Sequence, residues 1–542
     1  MLRGPFTLTR DPNLIVDRRR FTYRACPNSL PRLLASSLGS MNTQTKSSLR
    51  THVAGRAQVA GRVDRRQLLS FAAAGIATAA LPRVVRASAN GEVRMAVLGA
   101  GGRGGEIARA IDTAPGAKLV MVADPDKGRA EQLAEKYNAQ AVTDLRTALD
   151  SDDIDAVAIT TCNHWHCLAS IWAIEAGKDV YVEKPLSHSQ WEGRQVVLAA
   201  QKSGRIVQLG TQQRSDPIQM QARQFLHEEK GIGEIKYVQA NRLGTRGSIG
   251  KRDTPLTPPE GVDYDLWLGP AADEPIYRNS FHYDWHWDWN TGSGEMGNWG
   301  VHILDDVRNV AYQDEISTPN RIICGGGRVG WNDAGQTPNV HFALFETETF
   351  PTLIALSNLP PKPGVKGTWS VKGQMQVSAP NSGYAIVCEG GTYLGQRGSG
   401  KVVDLDGKTV RTFRERVSTV PAHVNNFVEA VRSRNEGMLA APIENGHHST
   451  GWCNLANVAF RAGGAFDAEQ LTQASELPQW KAIMNDMTAP LSGFGASVED
   501  LVSCPMLQHD PATERFVGEH AELANPFLRR EYRSGYEIKP AV

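Results

Sequence analysis

A short apolar run, Met95-Ala96-Val97-Leu98, passes directly into Gly99-Ala100-Gly101-Gly102-Arg103-Gly104, and residues 106–111 then follow with helical spacing. Strand, glycine turn and helix in that order leave few folds open. Gly99 suits a tight turn, Gly101 lets a backbone approach a pyrophosphate without a Cβ in the way, and Gly104 lets the helix pack close to the strand. The pyrophosphate would rest on the free N–H groups of the helix N-terminus. Glycine-rich turns also serve ordinary strand-to-helix corners, so the next strand has to discriminate. Residues 119–123 end in Asp124, about 20 residues past the last glycine, where a carboxylate accepts a ribose 2′-hydroxyl. Together these features predict a nicotinamide dinucleotide site. Asp124 repels a 2′-phosphate and so favours NAD, while Lys127 and Arg129 lie close enough to accommodate NADP.

With 542 residues and 41% apolar content, the chain is too long for one core and predicts two or more domains. The 58 basic and 58 acidic residues balance. No basic surface therefore points to nucleic acid or an anionic membrane, and a small molecule is the expected partner.

Residues 1–89 read as an extension to be processed. Arg65-Arg66-Gln67-Leu68-Leu69 precedes an alanine-rich apolar run over 70–81, and Ala87-Ser88-Ala89 offers a small-residue cleavage site before Asn90. This is the pattern of a twin-arginine export signal, with a periplasmic mature protein and the twin-arginine machinery as a partner. The apolar run is short for a permanent span; an uncleaved anchor is the alternative. Residues before Met41 carry no usable pattern, which leaves Met41 as a second candidate start. Of the seven cysteines, Cys26 falls in this segment. Cys162, Cys167, Cys324, Cys388, Cys453 and Cys504 are scattered without CxxC spacing, so neither a zinc site nor a disulfide framework is indicated.

Past Asp124, helices are expected at 129–137, 144–149, 164–176 and 190–202, and strands at 156–160, 179–182 and 206–209. Such alternation implies right-handed crossovers and a doubly wound parallel Rossmann sheet over residues 90–213. Ligands of such sheets bind at the carboxyl ends of the strands. Those ends carry Gly99, Asp124, the segment 160–166, Glu183-Lys184-Pro185 and 210–213. Lys184, fixed between Glu183 and Pro185, is the expected catalytic residue: burial would lower its pKa, and its nitrogen could polarise or deprotonate a substrate hydroxyl. A surface lysine at a turn is the plainer alternative.

The glycine turn, Asp124, Thr160-Thr161-Cys162-Asn163-His164-Trp165-His166 and above all Glu183-Lys184-Pro185 resemble the Gfo/Idh/MocA oxidoreductases. Gly292-Ser293-Gly294-Glu295-Met296-Gly297-Asn298-Trp299-Gly300-Val301-His302-Ile303-Leu304-Asp305 resembles the active-site helix of their second domain. The likeness covers roughly residues 93–464. It implies NAD(P)-dependent hydride transfer on a sugar or polyol, with Lys184 and His302 catalytic and Asn298 beside them. It further implies a cofactor set of Gly99, Gly101, Arg103, Gly104, Asp124, Thr160, Asn163, His166, Glu183, Lys184 and Gln212, and a homodimer or homotetramer. Many members carry Asp where Asn298 stands. An amide neither ionises nor takes a proton, so proton transfer would fall on His302 and Lys184.

Residues 214–470 change pattern. Strands are expected at 235–243, 321–324, 340–345, 353–359, 374–377 and 384–389, with helices at 420–434 and 445–462. The resemblance makes this an α/β domain with a large, mostly antiparallel sheet that binds substrate and mediates assembly. Residues 471–542 read as a tail wrapped over the surface. Within Phe281-His282-Tyr283-Asp284-Trp285-His286-Trp287-Asp288-Trp289, an extended chain would put the aromatics on one face and His282, Asp284, His286 and Asp288 on the other. Three readings stand: a packed structural segment, a divalent-metal site, or a sugar-facing loop using Trp285, His286 and Trp287. No metal site is assigned. His423, Asn425, Asn426 and His447 are weaker candidates that helix-surface or capping roles explain equally well.

Export of a folded protein to a compartment without free NAD(H) implies a dinucleotide bound beforehand and held tightly. Such a cofactor must regain its redox state each turnover. That leaves a coupled oxidoreductase, or a redox-neutral glycosidase, lyase or epimerase in which oxidation acidifies the neighbouring C–H. A carbohydrate-binding protein with a disabled site is the non-enzymatic alternative, with Asn298 as its hint.

Overall fold

The computed structural model describes residues 91–541 except Arg416; the expected export signal lies outside the described residues. The first domain alternates strand and helix as expected: β1 (Val93–Leu98), α1 (Gly102–Thr113), β2 (Ala117–Ala123), α2 (Lys127–Lys136), β3 (Gln140–Val142), α3 (Leu145–Asp150), β4 (Ala156–Ile159), α4 (His166–Glu175), β5 (Asp179–Val182), α5 (Gln190–Ser203) and β6 (Val207–Leu209). The strands form one parallel sheet in the order β3-β2-β1-β4-β5-β6. Both faces are covered by helices, which is why β4, β5 and β6 are buried at every residue and not at every second one. In register, Leu98 pairs with Ala123 and with Ile159, Ile159 with Val182, and Val182 with Leu209. Five strand ends are therefore level, and the residues just beyond them stand in one row at the point where the strand order reverses.

The second domain adds α6 (Pro217–Arg223), β7 (Ile235–Leu243), α7 (Tyr264–Leu268), α8 (Val301–Val310), β8 (Arg321–Gly327), β9 (Val340–Glu346), β10 (Thr352–Ser357), β11 (Ser382–Cys388), β12 (Gly391–Gln396), β13 (Ser399–Val403), β14 (Thr409–Phe413), α9 (Thr419–Ser433), α10 (Ile443–Arg461), β15 (Gly464–Ala465), α11 (Ala468–Gln473), α12 (Pro478–Thr488), β16 (Val502–Ser503), β17 (Leu507–Asp510) and β18 (Arg515–Val517). Its sheet runs β14-β13-β12-β11-β7-β10-β9-β8-β16-β15, with β17 also on β8. Pairing is antiparallel except between β7 and β10. Helix α9 returns to the first domain, where Val424, Phe427, Val428 and Val431 pack with the apolar face of α1 and β1. No described helix is long and apolar enough to cross a membrane.

Three expectations are corrected. Residues 374–377 form a turn, and the sheet is instead extended by β12, β13 and β14. The tail is more than a surface wrap: Trp480, Ile483 and Met487 of α12 are fully buried in the second-domain core, and β16 and β17 pair with β8. Spaced three and four apart, these three form a helical stripe that the surrounding Pro and Gly obscured. Residues 281–289 are not extended. Tyr283 takes φ +66°, and residues 284–287 form a 3-10 turn. The amides of Thr291 and Gly292 donate back to the Asp288 carbonyl, and the Asp288 carboxylate accepts from the Asn290 N–H at 2.9 Å. These local bonds win over a strand that has no neighbour to pair with.

Candidate active site

A cavity of about 400 Å³ opens along the row of strand ends, lined by Gly99, Gly101, Gly102, Arg103, Asp124, Arg129, Thr160, Asn163, His166, Glu183, Lys184, Tyr283, Trp285, His286 and Asn298, among others. Gly99 has φ +101°, and a Cβ there would meet the Thr160 backbone at 2.7 Å. A Cβ on Gly104 would collide with the Gly99 carbonyl oxygen. The turn is thus closed to side chains at both glycines, and α1 begins at Gly102 with its first N–H groups free of helical partners. The Thr160 hydroxyl ties the turn to β4 by donating to the Gly99 carbonyl at 2.6 Å.

Asp124 is buried. One carboxylate oxygen accepts from the Ala100 N–H at 2.6 Å, the other from the Asp126 N–H at 2.8 Å. Burial nevertheless raises its pKa above the usual carboxylate range. Each oxygen keeps a second lone pair for a ligand hydroxyl. A glycine turn without room for a Cβ, unpartnered helix N–H groups and a fixed carboxylate one strand away fit a dinucleotide. Arg129 lines the same end, whereas Lys127 is exposed and pairs with Glu131 at 3.7 Å.

At the other end, the Glu183 carboxylate pairs with Arg103 at 2.7 Å, and Arg103 also bonds Glu106 at 2.6 Å and the Gln212 amide oxygen at 3.1 Å. Gln212 stands outside the lining and reaches the cavity only through this guanidinium. Lys184 donates from Nζ to the Asn298 carbonyl at 2.7 Å and to its Oδ1 at 3.1 Å. Asn298 sits in a widened π-type turn, Met296–Gly300, where backbone carbonyls can leave the helical ladder. Burial lowers the Lys184 pKa to about 8, offset in part by Glu183.

His302, expected beside Lys184, lies on α8 outside the cavity lining. Its Nδ1 has no hydrogen-bond partner among the described residues. Burial, then the Lys184 charge, pushes its pKa well below the ordinary value, so the ring is neutral. The widened turn brings Asn298, four residues earlier, to the lysine instead. His286 does line the cavity, stacked on Trp285 with ring centres 3.6 Å apart. Its Nδ1 donates to the Tyr283 carbonyl, which leaves Nε2 as the acceptor. Burial lowers its pKa to about 3. Trp287 is corrected: it is buried outside the lining, beneath the Arg246 guanidinium at 5.6 Å.

The other polar residues of this stretch diverge. His282 pairs with Asp126 at 3.2 Å and Asp288 with Arg278 at 3.3 Å. Asn163 accepts from the Ser293 hydroxyl at 3.1 Å, and the His166 ring lies between the carbonyls of Pro185 at 2.7 Å and Thr161 at 3.1 Å. His423 joins the Leu209 carbonyl to the Ser215 hydroxyl, both at 2.8 Å, Asn426 holds the Ala440 N–H, and His447 pairs with Glu514. These three fasten elements together. Sequence reasoning missed Glu295, Arg242 and Arg246, although the three-residue spacing of Glu295 and Asn298 on one helical face was available as a signal.

Residues 93–211 match the oxidoreductase family with an NAD-binding Rossmann fold, and residues 248–329 match its C-terminal alpha/beta domain. Over 128 residues the chain is 42% identical to the scyllo-inositol 2-dehydrogenase (NAD(+)) of Bacillus subtilis (strain 168), covering 23% of this chain and 37% of that one. Over 118 residues it is 34% identical to the 2,7-anhydro-N-acetylneuraminate hydratase of Mediterraneibacter gnavus, covering 22% of this chain and 31% of that one. The chain spans about a third to a half of the length of the curated relatives it matches. A levoglucosan dehydrogenase solved with NADH shares the fold, with a TM-score of 0.50, 16% identity, and coverage of 68% of this chain and 96% of that one. The two domain matches fall in chain order, the first on the parallel sheet and the second on the segment that carries Asn298 and His302, and make these two regions similar to the Gfo/Idh/MocA oxidoreductases.

Proposed function

We propose that this chain is an NAD-dependent oxidoreductase acting at a carbinol carbon of a sugar or polyol. One observation carries the reading: Lys184 Nζ is held by both oxygens of Asn298 in the cavity that begins at the Gly99–Gly102 turn. When bound, the nicotinamide supplies a hydride acceptor or donor. The chain's own residues do the rest. Asp124 would hold a ribose hydroxyl, and the first turn of α1 the pyrophosphate. In its neutral form Lys184 spends two N–H bonds on Asn298, and its lone pair is left for the substrate hydroxyl, whose proton it takes as the C–H bond breaks. Asn298 fixes that direction but takes no proton. The Trp285 face and the His286 Nε2 acceptor suit the C–H and O–H groups of a pyranose or cyclitol. The names of the inositol dehydrogenase relatives support this substrate class.

A redox-neutral variant is the second reading, favoured by the relative named as a hydratase. The Arg65-Arg66 segment, which lies outside the described residues, supports export, and with it a dinucleotide bound tightly before transport. The decisive experiment adds a panel of sugars and cyclitols to the as-isolated protein and follows reduced-nicotinamide absorbance. Lys184→Met should lower the rate by roughly 10²- to 10⁴-fold with little change in sugar affinity. A wild-type protein that binds no dinucleotide, or a methionine variant as fast as wild type, would overturn the reading.

A further inference from the structure

Glu295 precedes Asn298 by three residues and is fully buried. Its carboxylate accepts from Arg242 Nε at 2.8 Å, from Arg246 Nη2 at 3.2 Å on both oxygens, and from Asn298 Nδ2 at 3.2 Å. The last bond settles which way the Asn298 amide faces: with Nδ2 turned to Glu295, Oδ1 is left for Lys184. Arg246 continues the chain outward, donating to the Tyr283 hydroxyl at 2.9 Å at the cavity wall.

We propose that Glu295 is a positioning residue for Lys184: through the Asn298 amide it aims the amine, and it supplies from one helical turn away the negative charge that Asn298 lacks. Its catalytic meaning rests on the proposed function, but its physical content does not. A buried carboxylate is expensive, and an apolar side chain would fill the same volume more cheaply in stability alone. Neutralising two arginines would not require a third bond to the amide that orients Lys184.

The groups facing Lys184 are Glu183 beside it, Arg103 from α1, Arg397 from the β12–β13 turn and Glu295; His286 and His302 are uncharged. Those facing Glu295 are Arg242 at the end of β7 and Arg246 just beyond it. Removing the Glu295 charge leaves both guanidiniums uncompensated, and the ammonium form of Lys184 then becomes harder to keep.

The test reads the Lys184 amine without turnover: the protein is labelled briefly with acetic anhydride across pH, and acetylation of the Lys184 peptide is followed by mass spectrometry. Wild type should show a midpoint near 8. Glu295→Gln should move it down by about one to two units. Arg246→Gln, which leaves Glu295 less compensated, should move it up by about half a unit or more. A folded Glu295→Gln protein with an unchanged midpoint overturns the proposal, as does an Arg246→Gln midpoint that stays or falls. If Glu295→Gln does not fold, the Arg246→Gln arm decides alone. A chain that oxidises no polyol would sink the dehydrogenase reading and leave this measurement standing.

Discussion

Lys184 carries the clearest pH signature. Its pKa is depressed to about 8, chiefly by burial, so the neutral amine gains population as pH rises through that value. If the amine takes the hydroxyl proton, kcat/KM for oxidation should rise with pH and level off above about 8; steady-state rates from pH 6 to 10 check this. An oxidation profile that falls over the same interval would rule out the amine as the base, whereas the reducing direction should itself fall there, because the ammonium form then donates the proton. Gly104 is a sharper steric case. A Cβ there would run into the Gly99 carbonyl, so Gly104→Ala should cost about 3 kcal/mol and weaken dinucleotide binding, seen in thermal melts and in a titration with NADH. These residues were legible in the sequence because their roles are local: a glycine at a turn, an acid at a strand end, a lysine before a proline. The surroundings of Gln212 and His302 were not legible because each depends on how two separate segments meet, Gln212 through Arg103 and His302 through the turn that presents Asn298.

At the scale of elements, the parallel sheet was readable almost strand for strand, since buried strands flanked by helices leave continuous apolar runs. The stretch 281–289 was not. Its alternation of aromatic and polar residues has the period of a strand, but the chain there has no strand beside it, and backbone bonds from Thr291 and Gly292 to the Asp288 carbonyl curl it instead. Gly292 is what permits the curl: a Cβ would press on the carbonyls of Trp285 and His286. Gly292→Ala should therefore displace the Trp285–His286 pair while leaving the dinucleotide end untouched. The expected result is a rise of roughly tenfold or more in KM for the sugar with unchanged NADH affinity, about 1.4 kcal/mol of lost substrate binding. Equal losses at both ends would argue against this division of the cavity.

For the whole molecule, the last seventy residues contribute to the core as well as covering it. Besides α12, the hairpin that carries Glu514 is clamped to both α5 and α10: its carboxylate bonds Arg194 at 2.8 Å and His447 at 2.6 Å. Hydrogen bonds and charge from these two groups hold the Glu514 carboxyl well below its usual 4.5 despite burial. A depressed carboxyl contributes stability that is fully present above the unfolded value and lost as pH falls through the folded one. Acid should thus loosen the 478–542 segment progressively below about pH 4.5, detectable as protease cleavage there before the parallel sheet opens. Glu514→Gln should lower neutral-pH stability by about 3 kcal/mol while flattening the acid limb. The sequence hid this region because its apolar positions are few and split by turns, and their partners lie more than a hundred residues upstream.

The bond between Lys184 and Asn298 has a consequence for how such a protein can be divided. The lysine grows from the parallel sheet and the asparagine from the other half, so neither piece expressed alone could present an aimed amine, although the first would keep its glycine turn and Asp124. A split between the halves would yield a nucleotide receptor without chemistry, and any recovery of turnover on mixing the fragments would report directly on how well their faces find each other again.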